Sequence, residues 1–309
     1  MVAPPTIAGS RTRLGLRTRE NIAGYLFIMP WIIGFLVFVA GAMLYSFGLS
    51  FFNADMMSAP EFIGAENYRK LLVQDELAWI ALRNTAYYTF VNVPLHVLLA
   101  LLVAALLNQR ILGLSVFRTI YYLPSVVSGV AVAILWIWLL HPDFGVINGF
   151  LGLFGVVGPQ WLYSESWAMP ALILMSLWGI GGSMVIFLAG LQGVPQSLYD
   201  AAKVDGANAV TTFRYVTVPL ITPTIFFSLV MGIISSFQMF TQAYIMTQGG
   251  PNNATMTAVM NIYTKGFQQF QFGYASALAW VLFAIILLFT MMIVRSSAAW
   301  VYYEGEVRK

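Results

Sequence analysis

Gln238 and Gln242 stand four residues apart in a run of mostly apolar side chains, a spacing that sets both amides on one face of a helix. An amide buried in hydrocarbon without partners costs several kcal/mol, so the pair points to hydrogen bonding with something that enters along that face. Acid–base, metal and nucleophilic chemistry find little footing elsewhere. His96 and His141 are the only histidines and there is no cysteine. That excludes a disulfide framework, thiolate zinc and a cysteine nucleophile, and leaves little for a metal centre. No phosphate-binding loop of the GxxxxGKS or GxxxxGKT type is present, no HExxH, and no carboxylate cluster at metal spacing. Asn253-Ala254-Thr255 spells a glycosylation acceptor, a tripeptide too common to carry weight. The chain reads as one that binds and moves, not as a catalyst.

The elements that position these amides follow from composition. Of 309 residues, 60% are hydrophobic and 9% charged, against about 25% charged in soluble domains, and the mean hydropathy is +0.79. Such a chain cannot clothe a folded surface in polar groups, so it is a polytopic membrane protein. A hydrocarbon core about 30 Å thick needs about 20 helical residues to cross. Uncharged stretches of that length predict spans near Gly24–Phe51, Thr85–Leu107, Ile120–Leu140, Ala168–Leu191, Pro219–Met246 and Tyr274–Val294. The polar run from Thr247 to Asn253 closes the fifth. A seventh uncharged stretch, Phe144–Ser164, carries Asn148, several glycines and Pro159 and makes a poor continuous helix.

Sidedness decides between six and seven. With six spans and the N-terminus inside, eleven of the fifteen Lys and Arg are cytoplasmic; a seventh span leaves seven inside against eight outside, which the positive-inside rule disfavours. Both termini are therefore expected in the cytoplasm. The order is a basic segment at 1–23, a six-span membrane domain at 24–294 and a tail at 295–309. Arg11, Arg13, Arg17 and Arg19 before an apolar run imitate a signal peptide, but Asn21 to Ala54 is uncharged throughout, too long for that role. It is expected to stay as the first span.

No Asp, Glu, Lys or Arg lies within any of the six spans, whereas ion-coupled transporters place such groups on the pathway. Coupling energy must enter elsewhere. His96, the sole titratable histidine at membrane depth, is read as a packed or hydrogen-bonded structural group. Pro94 and Pro124 release backbone carbonyls inside spans and permit bends.

The connection between the fourth and fifth spans, about 195–219, offers the entry point. Ser197 and Asp200 have the spacing of a capping box, which predicts a helix beginning there. Gly206 breaks it, and a second helical stretch, Ala207 to Thr217, ends against Pro219. The small Ala201 and Ala202 permit close approach of a partner. Tyr199 and Phe213 offer apolar anchors, and Asp200, Lys203, Asp205 and Arg214 form a polar rim. A helix seated in a partner's groove and an amphipathic linker on lipid head groups both suit this pattern.

Here the sequence resembles the membrane subunits of binding-protein-dependent ABC importers, in the carbohydrate-uptake branch. Their signature is EAA, three residues, Gly, nine residues, then Ile-x-Leu-Pro; this chain reads Asp200-Ala201-Ala202, Gly206 and Val216-Thr217-Val218-Pro219. The departures are Asp for Glu and two valines. The resemblance runs from about Ala23 to Val294. It takes in FIGAENYRKLL after the first span, Phe117-Arg118 with Leu123-Pro124, and Gly145 with Asn148. It also takes in Gly249-Gly250-Pro251 with Thr255, Tyr263, Phe267 and Gly273-Tyr274-Ala275. This late pattern is similar to the maltose-type permease that pairs with a second, different permease. The resemblance implies an all-α, six-span type I importer permease in a bacterial or archaeal plasma membrane, in contact with lipid. It implies a second permease, two ATPase subunits that bind the ATP and magnesium, and an extracytoplasmic solute-binding protein. No nucleic-acid partner is implied. Residues 200–206 would be the coupling helix that enters an ATPase cleft, with Asp200, Ala201, Ala202, Asp205, Gly206, Phe213 and Pro219 carrying the contact.

In that family the sugar touches the fourth and fifth spans. By distance from Asp200 the matching positions are Ser176, Gly179, Ile180, Ser183, Gly232, Ser236 and Met239, with Trp178, Ser235, Gln238 and Gln242 nearby. Small residues also serve close helix packing, and a tryptophan often anchors an interface. A phosphorylated solute would favour a cation on the route, and none lies within the spans. The expected cargo is therefore a neutral mono- or oligosaccharide, with glycerol phosphate or another polyol as the alternative. A self-sufficient secondary transporter ranks below both, since it would want an intramembrane charge or an internal repeat.

Overall fold

The computed structural model describes residues 15–55, 57–109 and 112–302. Residues 1–14 of the expected basic segment, 303–309 of the expected tail, and Arg110 lie outside the described residues. The chain divides into two units, Met1–Leu49 and Ser50–Lys309.

The first unit is one run of helix: α1 (Leu16–Gly34), a π-helical turn (Phe35–Gly41) and α2 (Ala42–Leu49). Trp31 and Phe35 stack along it with ring centroids 5.5 Å apart. Its uncharged stretch is long and apolar enough to cross a membrane.

The second unit opens with a two-stranded hairpin, β1 (Phe52–Asn53) and β2 (Glu61–Phe62), antiparallel with Phe52 opposite Phe62. After α3 (Glu66–Val73) comes α4 (Glu76–Leu107), a single helix of 32 residues that absorbs Pro94. Asp75 caps it by accepting the Ala78 N–H at 3.0 Å. The buried face of α4 repeats at three to four residues, through Ala78, Ala81, Thr85, Tyr88 and Asn92 and again through Ala100, Ala104 and Leu107, the period of a helix with one side in the core.

The expected third, fourth and fifth spans are not single straight helices. The third is α5 (Leu114–Val126) and α6 (Gly129–Leu139), bent by 102°; the fourth is α8 (Glu165–Trp178) and α9 (Gly181–Gln192), bent by 48°. Between them, the stretch weighed as a seventh span holds only the short α7 (Val146–Gly152). Asn148 folds that stretch on itself, donating to the Pro142 and Pro159 carbonyls and accepting from Trp161 Nε1. A connection with α10 (Gln196–Val204) and α11 (Ala209–Thr212) follows. A π-helical turn (Phe213–Thr217) and α12 (Val218–Leu220) lead to α13 (Thr222–Phe237), bent by 67° from the preceding helix. The fifth expected span thus breaks at Ile221 and again after Phe237, before α14 (Thr241–Met246). The breaks are tolerated because neighbouring groups satisfy the freed backbone. Thr257 Oγ1, for instance, donates to the Met239 carbonyl at 2.9 Å.

The chain ends through α15 (Ala258–Tyr263), a π-helical turn (Thr264–Gln268) and α16 (Phe272–Trp300). Helix α16 extends six residues past the expected end of the sixth span at Val294, into the expected tail. Among the described residues, three continuous helices and three bent pairs, each pair counted as one span, supply up to six spans by length and composition. Within the second unit the rings of Phe90, Phe237 and Phe289 close one core between α4, α13 and α16. The loop before α15 is tied to α4, where Asn84 donates to the Asn253 and Met256 carbonyls and Thr85 Oγ1 accepts the Ala258 N–H.

Candidate functional site

The breaks in the fourth and fifth spans face a cavity of about 510 Å³. Helix α8 ends where the Gly179 N–H bonds the Ser176 carbonyl at 3.0 Å, and α13 ends where Gln238 and Met239 N–H groups bond the carbonyls of Ser235 and Ser236. Each break turns hydroxyl and amide side chains toward one space. Ser176, Ser183, Gly232, Ser235, Ser236, Gln238, Met239 and Gln242 all line it. No Asp, Glu, Lys or Arg is among the lining residues.

Three of the positions expected along the path fall outside the lining. Trp178 sets its ring edge-on to Trp136 at 6.1 Å. Ile180 is buried in a core with Ala100, Ala104 and Phe187, and Gly179 forms the helix end itself. Gln238 and Gln242 do share the cavity, but not on one helical face: Gln238 caps α13, and Gln242 belongs to α14 beyond the break.

One wall was missed altogether. Helix α4 contributes Tyr88, Asn92 and His96 to the cavity, polar groups at four-residue spacing along one face of the helix. That periodicity is visible in the sequence. The Ser176 hydroxyl donates to Asn92 Oδ1 at 2.5 Å and has the Ile173 carbonyl 2.7 Å away as an alternative acceptor. His96 Nε2 lies 3.1 Å from Ser183 Oγ. Ser228 also lines the cavity and is 8% exposed, and its hydroxyl has no partner among the described residues.

The second element is the elbow between the fourth and fifth spans. Helix α10 starts at Gln196 with Pro195 as its cap, so Ser197 and Asp200 do not form the expected capping box. Pro195, with φ fixed at −58°, leads the chain directly into the first turn ahead of Ser197. Asp200 sits mid-helix and exposed, 3.3 Å from Gln196 Nε2 and 3.5 Å from Lys203 Nζ. Gly206 ends the helix as expected, at φ +77°. Gly206 N–H bonds the Lys203 carbonyl and Ala207 N–H bonds the Ala202 carbonyl, the two reciprocal bonds of a Schellman end. Asn208 then caps α11 by accepting the Thr211 N–H at 2.8 Å. The turn between the two helices is thus fixed by local bonds on both sides.

The faces of this elbow differ from expectation. Ala202 is buried, Phe213 packs on the chain's own core of Leu191 and Ile221, and the Tyr199 hydroxyl lies 3.2 Å from Thr217 Oγ1. These three hold the elbow together rather than offering it outward. The outward apolar groups are Leu198, Val204, Val210 and Tyr215, with Val204 88% exposed, alongside Ala201, Asp200 and Asp205. The helical path does not stop at Pro219, whose carbonyl accepts the Thr222 hydroxyl at 2.6 Å; it bends at Ile221.

Residues 83–301 match the model of the binding-protein-dependent transport system inner membrane component family. The probable ABC transporter permease protein YesP of Bacillus subtilis is 44% identical over 292 residues, covering 93% of this chain and 94% of that protein. The trehalose/maltose transport system permease protein MalF of Thermococcus litoralis is 32% identical over 283 residues, covering 90% and 94%. A chain from the crystal structure of a bacterial alginate ABC transporter, in complex with an alginate pentasaccharide-bound periplasmic protein, superposes with a TM-score of 0.79. It is 25% identical, and the match covers 92% of this chain and 97% of that one.

Proposed function

The chain belongs to the binding-protein-dependent transport system inner membrane component family, and from that premise we propose that its cavity passes a neutral sugar across the membrane. The chain is a permease subunit of an ABC importer and hydrolyses no ATP itself. One observation carries the choice of cargo: the cavity offers hydroxyls, amides and aromatic faces and no formal charge. Sugar hydroxyls pair with such groups, whereas a phosphate or uronate wants a cation. A neutral cargo also agrees with the trehalose/maltose relative, and sets this chain apart from one handling alginate.

In this reading a second permease closes the open side of the cavity, an extracytoplasmic binding protein delivers the sugar, and two ATPase subunits hold ATP and magnesium. The elbow meets an ATPase through Leu198, Ala201, Val204 and Asp205, and nucleotide-driven closure pushes it. The distribution of Lys and Arg supports a cytoplasmic position for that elbow and both termini.

The test is uptake by the assembled importer in vesicles, with its own binding protein and a panel of labelled neutral sugars, uronates and sugar phosphates. Uptake of a neutral sugar is expected. Uptake confined to the anionic members would overturn the assignment.

A further inference from the structure

Helix α4 is continuous where the fourth span is broken. Asn92 and His96 lie one turn apart on α4, yet the groups they meet stand on opposite sides of the Gly179–Ile180 break: Ser176 on α8 and Ser183 on α9. One unbroken helix is therefore hydrogen-bonded to both arms of a span bent by 48°. All four side chains line the cavity, so these bonds occupy the space that a solute's hydroxyls would enter.

Resting on the reading of this cavity as the sugar path, we propose that Asn92 and His96 are two latches that hold the bend of the fourth span while the cavity is empty. A polyhydroxylated neutral solute releases them by taking their place as partner. The chemistry of the exchange is balanced. Ser176 can turn its proton from Asn92 to the Ile173 carbonyl, 2.7 Å away, so freeing Asn92 strands no donor. The freed amide, the imidazole and the Ser183 hydroxyl released with it then each pair with a sugar hydroxyl. A solute without hydroxyls would leave these groups unpaired, which makes the pair a specificity device as well as a latch. Because α9 runs into the elbow within four residues, a change of angle between α8 and α9 is transmitted to the surface assigned to the ATPase.

The experiment uses the complete importer in vesicles and reads ATP hydrolysis with no solute present. His96→Leu and Ser183→Ala are each expected to raise this basal rate about fivefold, the factor one net hydrogen bond carries. The double variant is expected to raise it no further, and His96→Gln to restore the low rate. A merely structural role would lower rate and protein yield together. Should a leucine variant not fold, the cysteine-free chain allows Asn92→Cys with Ser176→Cys. Oxidation is expected to cross-link this pair in the resting complex and to fail once ATP and vanadate trap the closed state. Wild-type basal rates in both single variants, additive effects in the double, or a cross-link indifferent to trapping would each overturn the latch. If the wild-type complex shows no hydrolysis dependent on this chain, the importer reading itself fails, a result distinct from all of these.

Discussion

The Tyr274 hydroxyl donates to Asp75 Oδ2 at 2.7 Å, joining residues 199 positions apart in sequence. The other oxygen of the same carboxylate caps α4 through the Ala78 N–H, and the Lys70 ammonium lies 4.6 Å from the Tyr274 ring centroid. One side chain thus starts the second span and holds the start of the sixth. Tyr274→Phe is expected to cost about 1–2 kcal/mol, the range of a hydrogen bond to a charged group. Asp75→Ala loses the cap as well and costs about 2–3 kcal/mol. Thermal unfolding of the complex in detergent checks both, and the order Asp75→Ala below Tyr274→Phe is the discriminating result.

Close approach of α5 and α9 rests on one glycine. A Cβ at Gly181 would stand 2.3 Å from the Tyr121 carbonyl oxygen and 2.7 Å from Tyr122 Cα, while one at Gly182 would meet nothing within 4 Å. Backbone cannot swing aside as a side-chain tip can. Gly181→Ala is expected to lose about 2 kcal/mol or more and to reduce the yield of folded protein. Gly182→Ala stays within about 0.5 kcal/mol of wild type. Equal behaviour of the two by size-exclusion yield and thermal midpoint would contradict the packing.

Several features were plain in the sequence and others were hidden for identifiable reasons. The six spans followed from uncharged stretches together with the sidedness of Lys and Arg, and the hinge at Gly206 from its place in the spaced motif. The serines of the cavity came from the family resemblance, by distance from Asp200, and the glutamines from the cost of burying amides in an apolar span. Pro124 permitted a bend in the third span, but the breaks at Ile221 and after Phe237 were not found, since what permits a break is the hydrogen-bonding capacity of neighbours distant in sequence, as with Thr257 and Met239. The break after Phe237 separated Gln238 from Gln242. The Tyr88–Asn92–His96 stripe was legible but went unread, because α4 was treated as an apolar crossing. The expected capping box failed because a helix start depends on which residue first leaves helical dihedrals, and Pro195 took that position.

The elbow makes a prediction about geometry. Gly206 sits at φ +77° with nothing near an added Cβ, so a side chain there pays only backbone strain, about 1–2 kcal/mol. Gly206→Asn, which tolerates that region, is expected to keep solute-stimulated hydrolysis near wild type; Gly206→Pro is expected to abolish it. Val204→Glu, at an exposed outward position, is expected to leave the thermal midpoint unchanged while the ATPase no longer co-purifies. Retention of the ATPase by Val204→Glu would remove that face from the contact.

Cavity and non-cavity positions separate in transport kinetics. Gln238→Ala is expected to raise the half-saturating sugar concentration about tenfold, equivalent to about 1.4 kcal/mol. Trp178→Phe, at a residue packed on Trp136 outside the lining, is expected to leave it unchanged. Uptake measured at graded sugar concentrations decides, and a larger effect at Trp178 than at Gln238 would relocate the path.

The measurement closest to the central claim compares vesicles holding the permease pair alone with vesicles holding the pair and its ATPase, both supplied with ATP, magnesium and sugar-loaded binding protein. Sugar is expected to accumulate against its gradient only when the ATPase is present, and Gly206→Pro is expected to end that accumulation. Accumulation by the permeases alone would contradict the account.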